Sequence, residues 1–231
     1  MRTRTMLAPA VAVAAAGAAA TWFGTRVLRP WMHRGGATDE DLERTLPGDE
    51  LSPDAVCVST RAVTIEAPAE RIWPWLCQIG QQRGGFYSYR WLENLVGCEM
   101  PRVERLVPGW DRREVGEKVW MTTPEHYGGK AYQVVAVAEP RHALVLVSGD
   151  DGYGDAPGSG SWAFVLQAVD GDTTRLLVRS RYASPNLAFE LAHFVMERKM
   201  LLTIKRLAEA TPLPAPGADV ARETRSPQQG V

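Results

Sequence analysis

The segment from Asn186 to Ala210 reads NLAFELAHFVMERKMLLTIKRLAEA and is the longest run of helical pattern in the chain. As an α-helix of 25 residues it would extend about 37 Å, which is enough to cross a whole sheet. Its apolar residues, which include Phe194 and Leu202, need a partner surface that hides them from water. We therefore expect a long C-terminal helix packed against a sheet, with Phe194 and Leu202 buried in the contact.

Five segments that precede this helix alternate apolar and polar residues, as the strands of an antiparallel sheet do. Clusters of Gly, Pro and Asp separate them from one another. The five predicted strands are Glu117–Thr123, Ala131–Ala138, Ala143–Ser148, Ser161–Val169 and Thr174–Tyr182.

The last of these strands alternates most clearly. Its arginines fall on one side and its other residues on the opposite side: Arg175, Arg179 and Arg181 against Leu176, Val178, Ser180 and Tyr182. Successive side chains of a strand point to opposite faces of the sheet, so we expect the arginines in water and the others inside. Two other strands are expected to supply the same inner face with Trp162, Phe164 and Leu166, and with Tyr132, Val134 and Ala136.

A further strand and two short helices are predicted before this sheet. Val63 and Ile65 alternate with polar residues within Thr60–Glu66, which indicates a half-buried strand. Apolar residues then recur at i, i+3, i+4 and i+7 between Ile72 and Ile79, which indicates an amphipathic helix bent by Pro74. A second short helix is expected within Tyr87–Val96. The order of elements predicts an α+β fold in which a curved antiparallel sheet wraps the final helix.

The folded unit is expected to span residues 56–210, an ordinary length for a single domain. Residues 35–55 are polar and acidic and predict a linker with one short helical turn at most. Residues 211–231 are rich in Pro, Gly and polar residues and predict a disordered tail. Residues 1–34 are expected to form a membrane anchor or a signal segment.

The N-terminal segment Met6–Gly24 contains 19 residues without a charge, flanked by arginines at both ends. It is long enough to span a bilayer as a helix, although the same features also describe a secretory signal peptide. We favour an uncleaved anchor because the apolar character continues past Ala20 to Leu28. The unpaired cysteines favour a single-pass protein with a cytosolic domain. Export after signal cleavage is the alternative.

Charge and cysteine content exclude several kinds of function. The chain carries 26 basic and 27 acidic residues, so it lacks the positive field that draws a protein to nucleic acid. Cys57, Cys77 and Cys98 form no C-x-x-C pair, so we expect neither a metal site nor a disulfide framework. The sequence contains no P-loop and no G-x-S-x-G, and it indicates no cofactor.

Four blocks of the chain resemble a known superfamily. They are Thr64–Gly97 (TIEAPAERIWPWLCQIGQQRGGFYSYRWLENLVG), Val115–Glu117 (VGE), Glu139–Leu144 (EPRHAL) and His193–Glu209 (HFVMERKMLLTIKRLAE). With them the chain resembles the SRPBCC superfamily, which includes START-related lipid-transfer domains, the birch-pollen-allergen fold and polyketide cyclases. It looks most like an actinobacterial branch that carries a membrane segment.

The resemblance implies a helix-grip fold with a hydrophobic cavity between the sheet and the long helix, and as its ligand a lipid, a sterol, a polyketide or another apolar small molecule. The chain is rich in amphipathic rings, which suit such a cavity. From the rings and the inner parity of the strands we predict the lining residues Trp75, Tyr87, Tyr89, Trp120, Tyr132, Trp162, Phe164, Leu176, Val178, Tyr182 and Phe194.

Candidate catalytic groups are few. Glu125 and His126 offer an acid and a base in a loop between strands, but neighbouring polar residues are common in solvated loops. His193 and Glu197 stand four residues apart on the final helix, and we interpret them as a helix-surface pair rather than as metal ligands. The acidic, glycine-rich run Asp150–Asp155 does not follow the EF-hand spacing and predicts a turn.

Two functions follow from these patterns. The first is a membrane-tethered, non-catalytic binder or carrier of a hydrophobic small molecule, and the second is an enzyme of the polyketide cyclase or dehydratase kind that uses the same cavity. An enzyme needs acid–base groups turned into the cavity, so the orientation of Glu125, His126 and His142 distinguishes the two. An interaction module whose cavity is filled by its own side chains stays open, and no protein partner is indicated.

Overall fold

The computed structural model describes residues 17–19, 21–149, 160–182 and 187–212. A π-helical turn at Gly24–Leu28 leads into the first α-helix, and short 3-10 turns occur at Asp49–Leu51 and His126–Gly129. In chain order, the helices and strands are α1 (Arg29–His33), α2 (Asp39–Glu43), β1 (Cys57–Ile65), α3 (Ala69–Cys77), α4 (Arg90–Leu95), β2 (Lys118–Trp120), β3 (Tyr132–Glu139), β4 (Ala143–Ser148), β5 (Gly160–Ala168), β6 (Thr174–Tyr182) and α5 (Leu187–Ala210).

The six strands form one antiparallel sheet in the order β1-β6-β5-β4-β3-β2. β1 is at one edge of the sheet, where it pairs with the last strand, and β2 is at the opposite edge. The chain crosses from one edge to the other through α3 and α4. The long helix α5 lies against the inner face of this sheet and contacts α3 and β1. This arrangement confirms the α+β fold predicted from the order of elements, and it matches the helix-grip fold that the resemblance implies.

The main core lies between the inner face of the sheet, α3 and the C-terminal half of α5. Phe164, Leu176 and Val178 are fully buried there, together with Ile72 of α3 and Ile204 of α5. All three strand residues belong to the predicted inner parity of β5 and β6, which the structure confirms. Fully burying a side chain of this size contributes about 1.5–3 kcal/mol.

The predicted inner face of β3 is right for Tyr132, which is buried, and wrong for Val134 and Ala136. Val135 pairs with Leu146 of β4 and is fully buried in the core, whereas Val134 and Ala136 are half-buried. A register shift between Val135 and Val137 changes the alternation along the strand. Residues 134–138 are all apolar, so their sequence pattern does not distinguish one face from the other.

The outer face of the sheet is also covered, so the prediction that its arginines lie in water is wrong. Arg179 is only 4% exposed. Its guanidinium donates to Thr60 Oγ1 at 2.9 Å, to the Asp49 carboxylate at 2.7 Å and to the Asp41 carbonyl at 2.8 Å. The segment of residues 35–55 therefore packs across the sheet, where Leu46 is buried in a second apolar cluster.

Acidic groups of this segment pair with the arginines of β6. Thr38 begins α2 with a capping box that it forms with Asp41. The carboxylate of Asp41 also accepts from Arg175, at 2.5 Å from Nη2. Burial favours the neutral carboxyl, but the donors of Arg175 and Thr38 outweigh it and hold the pKa of Asp41 below its usual value. The acidic residues of this segment, from which a linker was predicted, thus balance the positive charges of the β6 arginines.

The predicted contacts of α5 are corrected at two positions. Phe194 is buried, but its ring lies 5.0 Å from the ring of Trp31 and beside Gly35, outside the main core. Leu202 is 42% exposed, so its predicted burial is wrong. The buried stripe of the helix passes through Phe194, Leu201 and Ile204, and Leu202 lies one position off this stripe.

Several sequence predictions fall outside the described residues. They are the acidic run 150–155, most of the segment 6–24 and the tail beyond residue 212. Within the described part of the chain, no helix combines the length and apolar character that a bilayer crossing requires.

Replacing Arg179 with Ala is expected to destabilise the protein by about 1.5–3 kcal/mol, because it removes the buried guanidinium that donates to the Asp49 carboxylate and to the Asp41 carbonyl. The matched control is Arg198→Ala, an exposed arginine of α5, which should change the free energy of unfolding by about 0.5 kcal/mol or less. Urea denaturation of both variants measures the difference. Equal midpoints for the two variants would contradict the buried role of Arg179.

Candidate functional site

A cavity of about 510 Å³ lies between the inner face of the sheet and the N-terminal half of α5. Its volume is within the range of small-molecule sites. Four of the chain's seven methionines and several aromatic rings give its wall an apolar character, among them Met100, Met121, Met196, Met200, Phe86 and Trp162. Methionine side chains are flexible and polarisable, so such a wall adapts to ligands of different shape.

The cavity reaches solvent at a rim formed by Lys130, Phe189 and Ala192, which line it and are themselves exposed. Its deeper wall is made by strand ends that carry small side chains. Ser148, Gly160 and Ser161 occupy these positions on β4 and β5, and Ser180 on β6. The small side chains at these strand ends leave part of the gap between the sheet and α5 unfilled, whereas Phe164 and Leu176, further along β5 and β6, fill the same gap. The difference in size leaves the cavity.

Of the predicted lining residues, Tyr132, Trp162 and Tyr182 line the cavity. Phe164, Leu176 and Val178 are on the predicted face but lie in the closed core beside it. Trp75 and Tyr87 pack edge to face in that core, with their ring centroids 5.9 Å apart. Contact of any of these residues with a ligand stays a prediction.

The remaining three predicted lining residues lie elsewhere. Tyr89 is 36% exposed, with the Lys199 amine over its ring. Trp120 packs on Tyr132 and lines a separate cavity of about 130 Å³. Phe194 faces Trp31. Aromatic character alone therefore does not identify the lining residues, because most of these rings serve the core or the surface.

The polar end of the cavity is organised by Glu197 of α5. Its carboxylate forms a buried ion pair with Arg61 of β1 and accepts from Trp162 Nε1 of β5 at 2.8 Å. Ser180 of β6 donates to the same carboxylate at 3.3 Å. Burial opposes the charge of Glu197, but His193 and Arg61 outweigh it and lower its pKa. Glu197 is therefore an anion held by three strands of the sheet.

His193 lines the cavity one turn before Glu197, so the interpretation of these two residues as a helix-surface pair is wrong. His193 Nδ1 accepts from Arg61 at 3.3 Å, and its Nε2 lies 3.6 Å from the Glu197 carboxylate. Burial lowers the pKa of His193 even though Glu197 acts in the opposite direction. The imidazole thus accepts a hydrogen bond from Arg61 and lies beside the Glu197 carboxylate.

The opposite part of the cavity contains Glu93 of α4, which the sequence analysis missed. Glu93 is 4% exposed, and burial raises its pKa to about 7. Its Oε1 has no hydrogen-bond partner. The signal in the sequence was weak, because a single Glu in a short helix next to Leu92 and Leu95 is typical of a solvated position.

The candidate catalytic residues of the β2–β3 loop do not line the cavity. Glu125 and His126 are exposed, and the His126 ring lies against Tyr127 and Gly97. His142 is exposed in the turn between β3 and β4, where it pairs with Glu139 at 2.6 Å. The three groups chosen to distinguish an enzyme from a binder thus stay outside the cavity.

One cluster of the described residues offers ligands of the kind that metals take. His33, Cys57 and Glu190 place a nitrogen, a sulfur and an oxygen within 4.8 Å of one another. Both oxygens of Glu190, however, accept from Arg29 at 2.7 Å, and His33 also contacts this carboxylate at 2.9 Å. The cluster therefore acts first as a buried ion-pair network that fastens α1 to β1 and α5.

Comparison with known proteins gives structural similarity only. No family model and no curated protein matches the chain. Similar solved structures include a Polyketide_cyc-like protein from Corynebacterium glutamicum, at 17% identity, with 66% of this chain and 91% of that chain covered and a TM-score of 0.37. They also include norcoclaurine synthase from Thalictrum flavum, at 14% identity, with 73% and 95% covered and a TM-score of 0.40. Similarity at this level carries no information on ligand or reaction.

Replacing His193 with Gln is expected to reduce the loss of stability on acidification. The pKa of His193 is below its unfolded value of about 6.5, so the unfolded chain takes up the proton more readily and stability falls as the pH drops below about 6.5. Denaturant midpoints at pH 7.5 and 5.5 measure this loss in the wild type and in the variant. The exposed His142→Gln is the control and should keep the wild-type loss. An equal loss in all three proteins would contradict the burial of His193.

Proposed function

We propose that this protein binds a hydrophobic small molecule in the cavity between its sheet and α5. The observation that carries the proposal is the cavity of about 510 Å³ with its four methionines and the rings of Phe86 and Trp162. A close-packed interior rarely leaves a void larger than a water molecule, so an apolar space of this size indicates an occupant. Each Å² of apolar ligand surface removed from water contributes about 25 cal/mol.

We further propose that the chain is a member of the SRPBCC superfamily. The four sequence blocks support this assignment, and so does the order of elements, in which β1 is followed by two short helices, five strands and the long α5. In this family the space between the sheet and the last helix holds a lipid, a sterol or a polyketide. A carrier or binder of such a molecule is the function that best fits the cavity described here.

An enzyme of the cyclase or dehydratase type is the second candidate. It is favoured by the presence of His193, Glu197 and Glu93 in the cavity wall. Glu197, however, accepts from Arg61, Trp162 and Ser180, so its lone pairs are engaged in holding the helix to the sheet. We place the binder first, because such a carboxylate has to give up these structural contacts before it accepts a proton from a substrate.

The sequence also supports a proposal about localisation. We propose that the uncharged segment Met6–Gly24 tethers the protein to a membrane and that the cavity domain faces the cytosol. Its length and flanking arginines support the tether. The unpaired thiols of Cys57, Cys77 and Cys98 support the cytosolic side. A tethered carrier would exchange an apolar ligand with the bilayer beside it.

The membrane proposal predicts that the full-length protein stays in the membrane fraction after alkaline extraction and keeps its N-terminus. Fractionation followed by N-terminal sequencing measures both. A mature chain that begins near Thr21 would identify a cleaved signal peptide and an exported domain instead.

The cavity proposal predicts that Ala192→Trp weakens binding of the apolar dye N-phenyl-1-naphthylamine at least tenfold, because the indole fills the rim. The change adds an exposed side chain and should leave stability within about 1 kcal/mol of the wild type. The matched control is Val195→Trp, at an exposed position of α5 outside the cavity wall, which should bind as the wild type does. Dye fluorescence titration of the full chain measures the affinities. Equal affinity for all three proteins would place the dye elsewhere.

A further inference from the structure

Three cavity-lining residues have a buried polar atom without a hydrogen-bond partner: Oε1 of Glu93, Oε1 of Gln133 and the hydroxyl of Tyr182. Buried polar atoms in native proteins almost always have partners, because an unpaired one costs about 1–3 kcal/mol. The Tyr182 hydroxyl, on β6, can donate or accept, whereas the two Oε1 atoms, on α4 and β3, only accept, so the unused capacity of Glu93 and Gln133 is acceptor capacity. A ligand group that donates would satisfy it.

Glu93 lies where α4 meets the β2–β3 edge of the sheet. The residues that follow it are held there, because Tyr127 donates to the Val96 carbonyl at 2.8 Å and Thr122 donates to the Gly97 carbonyl at 3.4 Å. The Glu93 backbone carbonyl accepts from Cys98 N at 3.1 Å. The carboxyl group is thus carried by a braced segment and not by a free loop.

No basic side chain among the described residues forms a salt bridge with Glu93. The groups that share the cavity with it are the Cys98 thiol nearby, Lys130 at the rim and Tyr132 on β3. From β6 and α5 the cavity receives Arg181, Tyr182, His193 and Glu197. Arg181 is bound to Ser52 and Asp49, and His193 and Glu197 are bound to Arg61, so these groups already have partners within the protein.

The missing partner explains the titration of this group. With no cation beside it, burial alone raises the pKa of Glu93 to about 7, so the carboxyl ionises within the physiological range. A cation placed against it would stabilise the ionised form. An anionic headgroup there would bury a second negative charge and bind less well as Glu93 ionises.

We infer that Glu93 is the binding residue for the polar end of the ligand, and that the ligand is a lipophilic amine whose ammonium group donates to this carboxylate. The inference rests on the proposed function and names its ligand class. The apolar wall of methionines and rings would take the hydrocarbon part, and Gln133 offers a second acceptor. Glu197 is excluded from this role because protein donors already occupy it.

The test compares three probes that share one hydrocarbon chain: dodecylamine, dodecanol and dodecanoate. Displacement of N-phenyl-1-naphthylamine from the full chain gives their affinities at pH 6 and pH 8. In the wild type, raising the pH is expected to strengthen dodecylamine binding and weaken dodecanoate binding, because Glu93 becomes charged, while dodecanol binding stays constant. The preference for amine over carboxylate should increase at least fivefold between the two pH values.

The variant Glu93→Gln keeps the size of the side chain and removes its charge. It should lose at least tenfold of the amine-over-carboxylate preference at pH 8, and the pH dependence with it, while it binds dodecanol within about threefold of the wild type. Glu125→Gln, an exposed change outside the cavity, should behave as the wild type.

The outcomes separate this inference from the proposed function. If none of the probes displaces the dye from either protein, or the dye does not bind, the proposed function fails. If the probes bind and the Glu93→Gln variant keeps the wild-type preference and pH dependence, the cavity binds ligand but Glu93 does not recognise an amine. A wild type that prefers dodecanoate at pH 8 would likewise overturn the inference.

Discussion

The contact between the carboxylate of Glu197 and the sheet fixes the position of α5, and the cavity depends on that position. One side chain of the helix receives hydrogen bonds from three strands, through Arg61 of β1, Trp162 of β5 and Ser180 of β6. A buried ion pair of this kind contributes little net stability, because desolvation offsets the attraction. It does select one geometry, since any slide of the helix would leave a buried charge unpaired.

This geometry divides α5 into two parts. The C-terminal half closes the core with Leu201 and Ile204, against the large side chains of β5 and β6. The N-terminal half passes over the strand ends, where the sheet offers Ser148, Gly160 and Ser180, and a cavity remains. At the start of the helix, Glu190 binds Arg29 and His33 and so holds the N-terminal segment against this half. The ligand space and the attachment of the N-terminal segment thus share one helix.

The sequence predicts the sheet and the helix well, because their patterns are local. The bounds of β4 and β6 agree with the alternation of their residues, and Leu176 and Val178 face the core as that alternation requires. The prediction from sequence fails where tertiary contacts bury a charged side chain that a local pattern would place in solvent. Arg179 belongs on the exposed side by polarity, but Asp49 and the α2 carbonyls enclose it. The packing of residues 35–55 on the sheet could have been predicted only by pairing the acidic residues of this segment with the arginines of β6.

The cavity was harder to predict, because its residues do not share one chemical type. Glu190 and Glu197 are seven residues apart on α5, on the same helix face as Phe194, Leu201 and Ile204. This spacing indicates that both carboxylates are buried, although charged residues are usually assigned to the exposed face. Met196 and Met200 stand four residues apart on α5, but the other two lining methionines, Met100 and Met121, come from separate segments of the chain and share no spacing with them. Aromatic rings were the more visible feature, yet of the predicted rings only Tyr132, Trp162 and Tyr182 line the cavity. Phe86 and Phe189, which were not predicted, line it as well.

The most direct test of a ligand-binding cavity is NMR of the full chain with ¹³C-labelled methionine methyl groups during titration with dodecylamine. Met100, Met121, Met196 and Met200 line the cavity, whereas Met32 is buried outside it and serves as an internal reference. The four cavity methyl signals are expected to shift together and saturably while the Met32 signal stays in place. Unchanged cavity signals, or equal shifts of all five, would contradict it.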